Sequence, residues 1–67
     1  MNKIKAIFCE DKIEPYIIIR YPNASYKYSG MELGELMQLK KLIKNKSFLL
    51  KKLKNSNYII EKMHLNI

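Results

Sequence analysis

The chain has 67 residues, of which 48% are hydrophobic, and a formal net charge of +7. So short a chain forms a single core, because a 60-residue domain buries only about 60% of its unfolded surface. These values exclude a multidomain protein, and residues 1–67 are interpreted as one small domain.

The first half of the chain has the pattern of three strands. Residues 3–9 alternate, with Ile4, Ala6 and Phe8 on one predicted face. Residues 15–21 are rich in β-branched and aromatic side chains, and residues 26–28 predict a short third strand. The intervening segments have turn composition. Residues 1–28 are therefore predicted to form a three-stranded antiparallel β-meander.

A helix is predicted to begin where the meander ends. Ser29 and Glu32 have the spacing of a capping box with Ser29 as the N-cap, and Tyr28 and Leu33 occupy the positions of a hydrophobic staple. Gly34 inside this helix costs about 1 kcal/mol relative to Ala. We interpret it as the mark of a close approach between the helix backbone and the sheet.

The helical half allows two interpretations. One continuous helix to about Lys54 would keep the heptad spacing of Leu36, Leu39, Ile43, Leu50 and Leu53. The segment 45–47 also has the composition of a helix stop followed by a new N-cap, and Phe48 and Leu49 leave the apolar stripe. Two helices joined near residues 45–47 are the favoured prediction.

The last segment, residues 57–65, fits either a third helix, with Tyr58, Ile59 and Met63 pointing inward, or a strand. The predicted fold class is thus α+β: a three-stranded antiparallel β-meander (1–28) followed by two helices, or three, packed on one face (29–67).

The reactive side chains predict no enzyme, no metal and no cofactor. Cys9 is the one cysteine and His64 the one histidine, which excludes an internal disulfide and leaves no ligand set for zinc. A histidine this close to the end of the chain is a poor general base for a nucleophile. The acidic residues of segment 10–14 match no calcium loop and are interpreted as a solvated hairpin tip.

Positive charge is concentrated in the second half. Residues 34–67 carry eight basic and two acidic side chains, against five and four in residues 1–33. An asymmetry of this kind is typical of a surface for an acidic partner, although lysine is also the ordinary solvent-facing residue of a helix. The predicted nucleic-acid or partner-binding residues are Lys40, Lys41, Lys44, Lys51, Lys52, Arg20, Lys27 and Tyr26.

Two hypotheses follow for the function. The first is a nucleic-acid-binding accessory or regulatory protein of the phage or plasmid type, which contacts phosphates through a lysine-rich helical face. The alternative is a phage-type inhibitor or adaptor that binds a host defence or nucleic-acid-handling enzyme, in the manner of an anti-CRISPR protein. The choice between DNA, RNA and protein stays open. A basic helix lying on anionic lipid is a weaker third hypothesis, because the apolar face is short.

The cellular setting and the assembly are also matters of expectation. No stretch approaches the roughly 18 apolar residues of a membrane span, and a lone cysteine fits a reducing cytoplasm. A cytoplasmic protein without a membrane partner is therefore predicted. A core this small gains from self-association or from a bound target, so a homodimer is one hypothesis for the assembly.

Overall fold

The computed structural model describes residues 3–63. The four strands within this range form one antiparallel sheet in the order β1-β2-β3-β4. The elements in chain order are β1 (Lys5–Cys9), β2 (Tyr16–Arg20), β3 (Ser25–Ser29), α1 (Leu33–Lys40), α2 (Lys46–Lys54) and β4 (Ile59–Met63). The α+β class and the meander are confirmed, and a fourth strand follows the helices.

One face of the sheet carries the core. Ile17 and Ile19 of β2 are fully buried, and the register places them opposite Phe8 and Ala6 of β1. Directly opposed residues share a face, so the alternation predicted for the first strand is confirmed. The core continues into the helices through their buried leucines Leu36, Leu39, Leu49 and Leu53.

The fourth strand corrects the prediction for the end of the chain. β4 pairs with β3, with Ile60 opposite Tyr28 and Ile59 opposite Ser29. The helical alternative is therefore wrong for residues 59–63. Without β4 the edge of β3 would leave its N–H and C=O groups unpaired, and β-branched side chains suit a strand. Ile59 was expected to point inward, but it is exposed and lies on the face away from the helices. The predicted segment's residues 64–65 lie outside the described range.

The helix start is also displaced from its predicted position. Glu32, not Ser29, is the N-cap of α1, and its N–H donates a 2.9 Å hydrogen bond to Glu35 Oε1. Ser29 does not cap the helix, because its backbone belongs to β3 and pairs with β4. Met31 and Leu36, both buried, now hold the staple positions that Tyr28 and Leu33 were expected to fill.

Gly30 and Gly34, which lie on either side of the N-cap of α1, are expected to respond in opposite ways to substitution by alanine. A Cβ built at Gly34 meets no atom within 4 Å, so the expected close approach to the sheet is wrong. We expect Gly34→Ala to raise the free energy of unfolding by about 0.5–1 kcal/mol, because alanine is the better helix former. Gly30 has a φ of +82°, and Gly30→Ala should lower this free energy by about 1–2 kcal/mol. Urea denaturation measures both changes, and a loss of stability in Gly34→Ala would contradict the open surroundings of that residue.

The junction between the helices agrees with the favoured prediction of two helices. Residues 41, 42, 43 and 45 donate backbone hydrogen bonds to carbonyls three residues earlier, as in Leu42 N–H to Leu39 O at 2.9 Å. The side chain of Asn45 then caps α2 by accepting a 3.2 Å hydrogen bond from Phe48 N–H. This turn breaks the heptad stripe of the one-helix alternative, so Ile43 is exposed and Leu49, not Leu50, is fully buried.

Candidate functional site

Most of the net charge lies in the helical layer, which we define as residues 33–55. It contains seven lysines and one carboxylate, that of Glu35, whereas the rest of the chain carries six basic and five acidic side chains. α2 has no acidic residue in its first turn and three lysines in its last turn, Lys51, Lys52 and Lys54, where the helix dipole favours cations. The layer is therefore a strongly positive surface on a nearly neutral sheet.

The lysines at the end of α1 do not form the helical stripe that the sequence predicts. Lys40 makes an ion pair with Glu10 in the β1–β2 loop. Lys41 and Lys44 are exposed, but they belong to the turn after α1 and not to a continuous helix. Neither makes an ion pair with any residue between 3 and 63.

Lys46 differs from the other lysines of the layer because its side chain has a role in the fold. Its side chain is half-buried, and Nζ donates a 2.6 Å hydrogen bond to the Ile4 carbonyl oxygen. This contact ties the start of α2 to the segment before β1, so Lys46 is an anchor of the fold and not part of the exposed charge.

Lys51 and Lys52 lie beside a groove of about 410 Å³ on the helical layer. We call it the helical groove; its lining includes Leu39 of α1, Phe48, Lys51 and Lys52 of α2, and Asn55 and Tyr58 after α2. Phe48, Lys51, Lys52 and Asn55 share one side of α2 because they are spaced three or four residues apart. The groove thus combines an aromatic side chain with two ammonium groups.

A hydrogen bond between Tyr58 and Glu35 lies beside the helical groove. Tyr58 Oη lies 3.3 Å from Glu35 Oε2, and both residues line a smaller depression of about 310 Å³ that shares Leu39, Lys52 and Tyr58 with the helical groove. Burial raises the pKa of Tyr58, as do the charge of Glu35 and this hydrogen bond. The hydroxyl therefore stays a neutral donor at physiological pH.

The predicted residues on the sheet lie elsewhere. Arg20 and Lys27 are on the face away from the helices, where Lys27 Nζ is 4.6 Å from the centroid of the Tyr16 ring and Arg20 lies opposite Lys5. Tyr26 is on the helix-facing side and meets Tyr21 edge to face at 5.7 Å and 82°. The eight predicted residues therefore do not form one surface.

Sequence reasoning missed the aromatic part of the groove. Phe48 was noted for leaving the apolar stripe. Tyr58 was expected to point inward in the helical alternative for residues 57–65, and it does pack partly against the core, but neither residue was assigned to a site. The i, i+3, i+4 spacing of Phe48, Lys51 and Lys52 was a usable signal, because it places an aromatic ring and two ammonium groups on one side of a helix.

Other kinds of site were sought among the described residues. No group of three or more His, Cys, Asp or Glu side chains between residues 3 and 63 is arranged to hold a metal ion. Cys9 is a free, half-buried thiol in β1, and His64 lies outside the described range. No helix in this range is long and apolar enough to cross a membrane.

Comparisons with protein-family models, with curated proteins and with solved structures find no match to this chain.

Proposed function

We propose that this chain is a small, non-enzymatic nucleic-acid-binding protein whose helical layer contacts phosphates through lysine side chains. The observation that carries the proposal is the separation of charge between the helical layer, with seven lysines and one carboxylate, and the nearly neutral remainder. An accessory or regulatory role of the phage or plasmid type is the context in which we place it.

The spacing of the lysines suits a polyanion. Lys51, Lys52 and Lys54 lie along about 5 Å of helix axis, since an α-helix rises about 1.5 Å per residue. This is less than the Debye length of about 8 Å at physiological ionic strength, so their fields reinforce one another. Duplex DNA carries one charge per roughly 1.7 Å of its axis, so several phosphates fall within the same field.

The salt dependence of binding tests this proposal. Fluorescence anisotropy with nuclease-treated protein and labelled random-sequence DNA should give an affinity that falls steeply between about 50 and 400 mM salt. If four or five lysines each neutralise one phosphate, the plot of log K against log salt has a slope of about −3 to −5. An uncharged peptide nucleic acid of the same sequence is the matched control and should not bind.

Absence of binding at 50 mM salt would contradict the proposal. The alternative prediction, an inhibitor or adaptor that uses the same basic layer against an acidic protein surface, would then be the one to test. Its signature is a protein complex that survives nuclease treatment.

A further inference from the structure

We propose that the helical groove receives an unpaired base, so that the preferred ligand is single-stranded nucleic acid. This inference rests on the proposed function and names the ligand class for the same surface. Its basis is the position of Phe48, which is 50% exposed and lines the groove together with Lys51 and Lys52.

The chemistry of the groove fits a base better than a phosphate backbone alone. Phe48 and Leu39 offer apolar surface, and Lys51 and Lys52 follow Phe48 by three and four residues on the same side of α2. Proteins that bind single strands combine aromatic side chains, on which bases stack, with a basic track for the phosphates. A base stacked on Phe48 would keep its flanking phosphates within reach of both ammonium groups.

Two polar residues near the groove favour an orientation for the strand. Glu35, hydrogen-bonded to Tyr58, is the one carboxylate of the layer; it lines the neighbouring depression and repels phosphate from that side. Asn55, the C-cap of α2, presents an amide with both donors and an acceptor, the groups that can pair with a base edge. We therefore expect the backbone to follow Lys51 and Lys52 and the base edge to point toward Asn55.

Charge and geometry make other ligands of the helical groove less favourable than an unpaired base. A second copy would bring an equally positive helical layer against this one, and like charges at close range are repulsive. A duplex keeps its bases stacked in its interior, so Phe48 could meet only its backbone and base edges and not the face of a base. An acidic peptide has the right charge, and its aliphatic side chains lack a flat face on which a phenyl ring stacks; an acidic polypeptide therefore enters the test as a competitor.

Four labelled or competing probes at a single salt concentration test the inference: a 12-residue oligothymidine, an abasic 12-mer with the same backbone, a 12-base-pair duplex and poly-L-glutamate. Oligothymidine should bind about 10-fold more tightly than the abasic strand or the duplex, because stacking of one base contributes roughly a 5- to 150-fold factor in affinity. Poly-L-glutamate should compete only weakly.

Substitutions of Phe48 test whether its ring causes the preference for oligothymidine. Phe48→Leu should remove the preference for oligothymidine over the abasic strand, and Phe48→Tyr, which keeps the ring, should retain it. Met37→Ala removes another exposed apolar side chain of the helical layer that does not line the groove, and it should leave the preference unchanged. Thermal melts of each variant confirm that the fold is intact.

The outcomes separate the two proposals. Equal binding of oligothymidine, abasic strand and duplex, or a preference unaffected by Phe48→Leu, would overturn the inference and leave the proposed function standing. Equal competition by poly-L-glutamate would overturn it as well, in favour of an acidic protein partner. No binding to any nucleic acid would overturn both.

Discussion

The double reversal Lys51→Glu with Lys52→Glu is expected to weaken binding to nucleic acid by about 100-fold at about 0.1 M salt. Each lost phosphate contact removes roughly 0.9 from the salt slope for a duplex, which is close to an order of magnitude in affinity at that salt concentration. The slope itself should therefore become shallower by about 2. Anisotropy titrations at three or more salt concentrations measure both quantities.

A variant with the same change in net charge is the control. Lys3→Glu with Lys5→Glu alters two exposed lysines, of which Lys5 lies on the sheet face away from the helices. This control variant should lose far less affinity for nucleic acid, because charges beyond about one Debye length are largely screened. Equal losses in the two double variants would mean that net charge alone, and not the helical layer, determines binding.

Glutamate near the end of α2 also opposes the helix dipole, at about 0.3–1 kcal/mol per residue. The pair Lys51→Gln with Lys52→Gln removes the positive charges without adding negative ones. It should show an intermediate loss of affinity and a smaller loss of stability than the glutamate pair, which separates binding from folding.

The first two strands were predictable because their signals are local. Ile4, Ala6 and Phe8 alternate with Lys3 and Lys5, so a period of two is visible in the first strand without knowledge of its partner strand. The second strand was predictable from its β-branched and aromatic composition, although its three successive isoleucines do not reveal which of them face the core. The turn at Asn45 was also local, since its side chain accepts from an N–H three residues later.

The start of α1 was not predictable because two local patterns compete. Ser29 with Glu32, and Glu32 with Glu35, both have the spacing of a capping box, and each box contributes only about 1 kcal/mol. The choice is made by β4, which pairs with β3 as far as Ser29. A strand that follows the helices in sequence is a non-local partner, and no pattern within residues 25–35 reveals it.

The candidate site was predictable in its charge and not in its shape. The lysine excess after residue 33 is a matter of composition. The positions of these lysines depend on where α1 ends: Lys40 is in an ion pair, Lys41 and Lys44 lie in a turn, and Lys51 lies beside the groove. The groove also needs Tyr58, whose position is fixed by the entry into β4, so it appears only when the sheet is complete.

Leu53→Ala is expected to leave the domain largely unfolded at 25 °C. Leu53 is 0% exposed and lies one turn after Leu49 on the buried side of α2. A truncation of this kind typically costs about 2–5 kcal/mol. A single core in a chain below about 70–80 residues rarely supplies more than roughly 3–5 kcal/mol, so the loss is comparable to the whole stability.

Far-UV circular dichroism and urea denaturation measure this effect. Ile13→Ala is the control, because Ile13 is 94% exposed in the β1–β2 loop, and its change should stay within about 0.5 kcal/mol. Leu53→Met, which conserves volume, should fold with a loss below about 1.5 kcal/mol. Equal midpoints for Leu53→Ala and Ile13→Ala would contradict the packing of α2 on the sheet.

Leu53→Ala also links the folding of the domain to the proposed function. A ligand that binds only the folded state adds about 2.7 kcal/mol at a concentration of 100 Kd. Oligothymidine at that excess is therefore expected to restore much of the helical signal of Leu53→Ala. The same concentration should add only about 0.4 kcal/mol to Leu53→Ala combined with Lys51→Glu and Lys52→Glu, because a 100-fold weaker affinity leaves it at about 1 Kd. Recovery in both variants would place the stabilising contact outside the helical groove.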